Sequence, residues 1–329
     1  MKLDREQSVS QLIRLAGERE MPSAEAMRRA RLAAEQSWRR GIAARPARPR
    51  RAAILATWAL ATAAGIAALA WFAWNRDTVR AVPDRVATIA VVEGQVSMRE
   101  ATRDGPAARH TEVLAGTTLT ATDGRVATNF ADTLSLRLDR YTRVRFDSRV
   151  HVTLLQGSLY VDSGGLGVGP PLTIATPAGD VSHVGTQFQV TVSAQGTRVR
   201  VREGRVMLER DAAPAALAVA AGDELEVRGD EASWRHGMPS FGPEWEWSAG
   251  VAPALAIEDR PLAEFLTWIA REHGWQLQFA DAALQARTHD IRLHGTLEDL
   301  DAPAMLGRMA LVTGVPLEIH AGVLTVGTR

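Results

Sequence analysis

From Val86 to about Val227 apolar and polar residues alternate along the chain, the period of an extended strand with one face on a core. "VATIAVVEGQVSM", "LSLRL", "RVRF", "HVTLLQGSLYV", "PLTIAT" and "TRVRVREGRVML" are runs of this kind, separated by Gly, Asp and Pro turns. In the last of them Val199 and Val201 take one face, and Arg198, Arg200 and Arg202 the other. No helical pattern interrupts the series. It predicts an all-β domain over 75–232, built as a sandwich or a solenoid-like stack.

Beyond this domain the period changes. "SWRHGMPSFGPEWEWSAGVAP" is rich in Trp, Pro and Gly and reads as a connector, 233–254, whose Trp234, Trp245 and Trp247 pack against a neighbouring domain. "LAIED" is then a short strand, and "PLAEFLTWIAREHG" a helix with Leu262, Phe265, Leu266 and Ile269 on one face and Gly274 as its stop. A strand "WQLQFA", a strand "HDIRLHG", a helix "DAPAMLGRMALVTG" and the strands "VPLEIH" and "VLTV" follow. The order predicts a small α+β domain of two βαβ-like units over 255–329. Its final strand, Val323, Leu324, Thr325 and Val326, ends the chain and is expected to be an open edge able to accept a partner's strand.

The N-terminal pattern is helical. Residues 4–19 carry Val9, Leu12, Ile13 and Ala16 at helical spacing, and residues 23–40 carry Met27, Ala30, Ala34 and Trp38 along one side. Two helices this short bury little area and are better stabilised on a partner, so Val9, Leu12, Ile13, Met27 and Trp38 are the candidate contact residues. "ARPARPRR" closes the segment 1–51 as a linker. The run 52–74, "AAILATWALATAAGIAALAWFAW", has no charge and would rise about 34 Å as a helix, long enough for a single membrane span. The overall class expected is therefore multidomain: a short α-helical segment, one transmembrane helix, an all-β domain and a small α+β domain.

Charge adds an orientation. Formal net charge is zero, yet residues 1–51 hold 13 Lys+Arg against 6 Asp+Glu. With Arg39, Arg40, Arg45, Arg48, Arg50 and Arg51 just before the span, the positive-inside bias puts the N-terminus in the cytoplasm and the C-terminal domains outside it. A bacterial inner-membrane location, with those domains periplasmic, follows as the expectation. The arginines of 1–51 lack the aromatic platform or motif of a nucleic-acid reader, so no direct nucleic-acid partner is expected.

Candidate chemistry is sparse. The chain has no cysteine, which excludes thiolate catalysis and Cys-built metal sites. Its eight histidines form no HxH, HxxxH or HExxH pair, so no metal site is indicated. "GGLGVGPP" (164–171) is followed by prolines and not by a helix, which argues for a loop between strands and against a phosphate cradle. Asp180, Ser182 and His183 supply the letters of a hydrolytic triad. On an extended chain Ser182 and His183 point to opposite faces and cannot meet. His183-Val184-Gly185-Thr186 reads as a bend in a strand, with no catalytic residue and no cofactor implied.

"LAGTTLTATDGRVATNFADTLSLRLDRYTRVRF", "VTLLQGSLYV", "TIATPAGDVSHVGTQFQVTV" and "RVRVREGRVMLE" resemble successive blocks of the FecR domain. The VGTxF block (Val184, Gly185, Thr186, Phe188) and Glu203-Gly204 are the family-motif positions, with a structural role. Residues 255–329 are similar to the secretin and TonB short N-terminal domain. The resemblance implies a non-enzymatic transmembrane signal transducer. Its cytoplasmic segment would hold an extracytoplasmic-function sigma factor, and its outer part would sense the signalling domain of a TonB-dependent receptor. An envelope scaffold or binding protein without a sigma factor is the alternative that the short N-terminal segment leaves open.

Overall fold

In the computed structural model the alternating segments pair into one wrapped sheet around a single core. Residues 84–101, 103–164, 172–210, 215–297 and 300–327 are described, all within the compact unit Ala81–Arg329. The expected helices at 4–19 and 23–40, with Val9, Leu12, Ile13, Met27 and Trp38, lie outside the described residues, as do the span at 52–74 and most of the Gly-rich loop.

Fifteen strands make the sheet: β1 (Arg85–Glu93), β2 (Val96–Glu100), β3 (Arg103–Pro106), β4 (Glu112–Leu114), β5 (Thr117–Ala121), β6 (Arg125–Phe130), β7 (Leu134–Leu138), β8 (Thr142–Ser148), β9 (His151–Asp162), β10 (Thr173–Thr176), β11 (Gly179–Ser193), β12 (Gly196–Glu209), β13 (Leu217–Ala220), β14 (Glu224–Arg228) and β15 (Glu231–Arg235). The sheet folds over at β9. Its first half pairs with β8 and, in parallel, with β10; its second half pairs antiparallel with β7 and β11. Gly157 sits at the changeover with φ +89°, and a Cβ there would collide with Thr142. A residue with a side chain could not carry the strand from one layer to the next at this separation. The alternating apolar positions, among them Leu119, Leu136, Phe146, Leu154, Val161, Phe188 and Val199, are buried in one continuous cluster.

A strap leads on through α1 (Pro243–Gly250) to a second, separate core. Strands β16 (Arg260–Pro261) and β18 (Arg292–Leu293) pair with each other, and helices α2 (Leu262–His273), α3 (Ala282–Asp290) and α4 (Ala302–Thr313) surround a three-stranded sheet. That sheet consists of β17 (Gln276–Phe279), β19 (Leu317–His320) and β20 (Val323–Val326). Helix α2 buries Leu262, Phe265, Leu266 and Ile269 and stops at Gly274 in the left-handed conformation. Asp281 caps α3 by accepting from the Leu284 N–H, and Asp301 caps α4 by accepting from the Ala304 N–H.

Several expectations need correction. The described residues are mostly β with four helices, the longest of 12 residues, and none of these helices is long and apolar enough to cross a membrane. The single-pass membrane helix and the inner-membrane location drawn from it are thus unsupported, and the fold of the described residues is a wrapped all-β domain with a small α+β module. "LAIED" forms no strand, and "HDIRLHG" contributes only the two residues of β18. The supposed open edge of Val323, Leu324, Thr325 and Val326 is the central strand of its sheet. β20 pairs in parallel with β17 on one side and antiparallel with β19 on the other, so its main chain is already occupied. Leu324 and Val326 are fully buried there. Lying last in the chain does not place a strand at the edge of a sheet: the crossover after β17 sets β19 one position away, and the turn from β19 returns the chain into the gap.

A candidate interaction site where the module meets the β domain

The bend anticipated at His183–Thr186 is a β-bulge. Pairing of β11 with β12 is regular up to Val184 opposite Arg205 and resumes with a shifted register at Gln187 opposite Glu203. Gly185 has φ +57° and Gly204, across the ladder, φ +79°; a Cβ on Gly204 would lie 2.5 Å from the Gly185 carbonyl oxygen. Close approach of two backbones therefore requires a glycine at 204, and the left-handed conformation favours one at 185. The Thr186 N–H donates to the Ser163 hydroxyl (2.8 Å), and the Ser163 N–H donates to the Thr186 carbonyl (3.1 Å), tying the bulge to the end of β9. Phe188 is fully buried in the core, with the His183 ring 5.4 Å away. Burial lowers the His183 pKa, and neither ring nitrogen has a hydrogen-bond partner among the described residues. Asp180, Ser182 and His183 do not converge.

The bulge directs Gln187 and Glu203 toward the last turn of α2. Arg271 bridges two carboxylates of the β domain: its Nη2 lies 2.6 Å from Asp162 Oδ1, and its Nη1 binds Glu203 Oε2. Gln187 donates to the other Asp162 oxygen (2.9 Å). Burial opposes ionisation of Asp162, but the Arg271 charge and the hydrogen bonds from Arg271 and Gln187 prevail and hold its carboxyl below the usual range. Next to this fork a second pair is more deeply enclosed. Arg137 on β7 meets Glu272 in a bidentate contact of 2.6 and 2.9 Å, with side-chain exposures of 1% and 8%. Its Nη1 also donates to the Ser248 carbonyl (2.9 Å) and its Nε to the Ser135 hydroxyl (3.1 Å), so every nitrogen of the guanidinium is bonded. Burial works against the Arg137 charge, and the Glu272 carboxylate more than compensates, so its pKa is raised.

Aromatic rings close the site. The buried Tyr160 ring meets Trp245 and Trp247 edge-on at 6.2 and 6.4 Å, and Arg137 lies over its face at 5.1 Å. Arg202 donates to the Glu272 carbonyl (3.0 Å) and to the Tyr160 hydroxyl (3.3 Å), with its guanidinium 4.5 Å from the Trp245 ring centre. Trp245 donates to the Pro239 carbonyl and Trp247 to Gln189. A cavity of about 60 Å³ remains between Arg202, Trp245, Glu246, His273 and Trp275. His273 stacks on Trp275 at 4.4 Å; burial first, then the charges of Arg202 and Arg137, lower its pKa to about 4.

The sequence indicated a bend at His183–Thr186 and the packing of Trp245 and Trp247. Trp234 behaves otherwise: it is partly exposed on β15 and stacks on His236. The contact made by Arg137, Tyr160, Asp162, Arg202, Arg271 and Glu272 was not visible in the sequence. Arg200 and Arg202 occupy the polar face of β12, yet both are buried, Arg200 against Glu224 and Arg202 beneath α1 and α2. The available signal was the coincidence of this Arg-rich face with a Trp-rich connector of matching reach. Among the described residues no group of three or more His, Cys, Asp or Glu side chains could hold a metal ion.

Residues 116–207, from the start of β5 into β12, match the family described as "FecR protein". No curated protein matches the chain. Among the solved structures that resemble it are two described as a "putative anti-sigma factor" from Parabacteroides distasonis. The first is 16% identical over 64% of this chain and 99% of that one, with a TM-score of 0.34; the second is 15% identical over 64% and 97%, with a TM-score of 0.33. Likeness at this level carries no argument about function.

Proposed function

From the FecR domain that residues 116–207 form, we propose that the chain is a regulator of a sigma factor and acts by binding rather than catalysis. The observation that carries the reading is the match itself, and the bulge formed by Gly185, Thr186, Glu203 and Gly204 lies within the matched residues. In the finer form of the proposal, residues 1–40 hold an extracytoplasmic-function sigma factor through Val9, Leu12, Ile13, Met27 and Trp38. The module after residue 255, which resembles the secretin and TonB short N-terminal domain, receives the signalling domain of a TonB-dependent receptor. Its receiving strand would be one of the outer strands β17 and β19, since β20 is paired on both sides.

The test is capture. Full-length chain is immobilised and offered the extracytoplasmic-function sigma factors encoded in its own genome, beside a Trp38→Ala variant. Retention of one sigma factor, reduced about tenfold or more by the substitution, is the expected result, since a buried aromatic anchor commonly contributes upwards of ~1.4 kcal/mol to an interface. Retention of none by the unaltered chain overturns the reading.

A further inference from the structure

The two apolar cores do not merge: one runs from Val86 to Val227, the other from Ile257 to Val326. Between them lie charges and rings. Arg137–Glu272 and Asp162–Arg271–Glu203 join the β domain to the last turn of α2, with Arg202 donating to the main chain of that turn. An apolar seam between two domains is held by exclusion of water and reopens at high cost. A seam of buried ion pairs differs, because separating it returns every charge to water, and the Coulombic gain of the closed form is offset by desolvation. The ion pairs then make the closed form strongly sensitive to loss of one partner while adding little net stability of their own, and the rings of Tyr160 and Trp245 supply apolar contact to the closed form.

We propose that this seam is a latch: the α+β module lifts off the β domain as a folded body when the Arg137–Glu272 and Asp162–Arg271–Glu203 contacts part, and re-seats when they reform. Opening would uncover Arg137, Arg202, Tyr160 and Trp245 and would release Gln187 and Glu203, the residues that the bulge directs toward α2. The position of the module and the geometry of the FecR motif are thereby coupled through Arg271, whose two amino groups reach Asp162 at the end of β9 and Glu203 on β12. The inference goes beyond the sigma-factor reading and stands independently of it.

Because the chain has no cysteine, two can be introduced as labelling sites, at Val150 in the β domain and Leu311 on α4, both exposed. Spin labels there report the distance between the two bodies in the full chain, and hydrogen exchange reports each core. Glu272→Gln leaves Arg137 enclosed without its counter-charge and is expected to raise the open fraction on the order of a hundredfold, seen as a second, longer distance. Protection of both cores should persist. Replacing the pair together, Arg137→Met with Glu272→Met, should restore a single short distance. The latch is refuted if Glu272→Gln leaves the distance distribution unchanged, or if the longer distance comes only with loss of protection in the β core. Should Glu272→Gln not fold, Arg271→Met must produce the longer distance with both cores protected, and its failure to do so equally refutes the proposal.

Discussion

His273 should make the folded chain sensitive to mild acid. Its ring stacks on Trp275 and lines the same small cavity as Arg202, Trp245 and Glu246, with the Arg137 charge also acting on it. Burial and the two guanidinium charges move its pKa from an ordinary 6.5 to about 4. The unfolded chain therefore binds a proton near pH 6.5 that the folded chain accepts only near pH 4. Between those values the unfolded state holds more protons, so stability rises with pH. The contribution is complete above pH 6.5 and is lost progressively as pH falls toward 4. Taken at face value the interval corresponds to about 3 kcal/mol; the ring is partly exposed, and screening reduces the expected effect to about 1–2 kcal/mol. Urea unfolding at several values between pH 7.5 and 4.5 measures it, with His273→Phe as the comparison because phenylalanine keeps the stack and cannot titrate. His183, whose pKa burial also lowers, acts with the same sign but is present in both proteins and cancels in the difference. The unaltered chain should lose about 1–2 kcal/mol more than the variant across this range. Parallel curves for the two proteins would refute the reasoning. The depressed carboxyl of Asp162 acts in a lower window, contributing above its ordinary value of 3.8 and fading as pH falls below it.

Other substitutions test the β domain directly. Phe188→Ala empties a fully enclosed site in the core and should destabilise by about 3–5 kcal/mol in denaturant unfolding; a cost below about 1 kcal/mol would contradict the packing described. Gly204→Ala forces a side chain at φ +79° toward the Gly185 carbonyl and should cost about 2–4 kcal/mol, whereas the same change at Gly105, which faces open space without a positive φ, should cost under about 1 kcal/mol. Calorimetry of the two variants side by side reads the contrast.

How much of this was legible in the sequence follows from what each pattern encodes. Period-2 alternation records which face of a strand is apolar, so the β domain and its core were readable from Val86 onward. The bulge was readable as well, because Gly185 interrupts an otherwise regular strand. Alternation does not record what covers the polar face. Arg137 in "LSLRL" and Arg202 in "TRVRVREGRV" look the same whether water or α2 lies over them, and only the tertiary fold supplies Glu272 and the main chain of α2 as their partners. Sheet order is likewise not a local property: Val323–Val326 has the composition of any short strand, and its central place depends on β17 running parallel to it from the far end of the module. Helix α3 escaped because "AALQARTHD" has little amphipathic character and starts from the Asp281 cap rather than from an apolar stripe.

The partition of the site between two parts of the chain bears on what specifies the contact. Every β-side partner, Arg137, Tyr160, Asp162, Gln187, Arg202 and Glu203, falls within the 116–207 segment that matches FecR, while Arg271 and Glu272 lie beyond it. The β domain thus brings a socket of mixed charge, with Arg137 and Arg202 beside Asp162 and Glu203. What fits it must present a cation and an anion on adjacent residues, in that order, at the end of a helix whose final carbonyls can accept from Arg202. Reversing Arg271 and Glu272 would place like charges opposite each other at both points, with each buried group left without its partner. Specificity for the module therefore resides in the last turn of α2, and the apolar residues of that helix serve its own core instead.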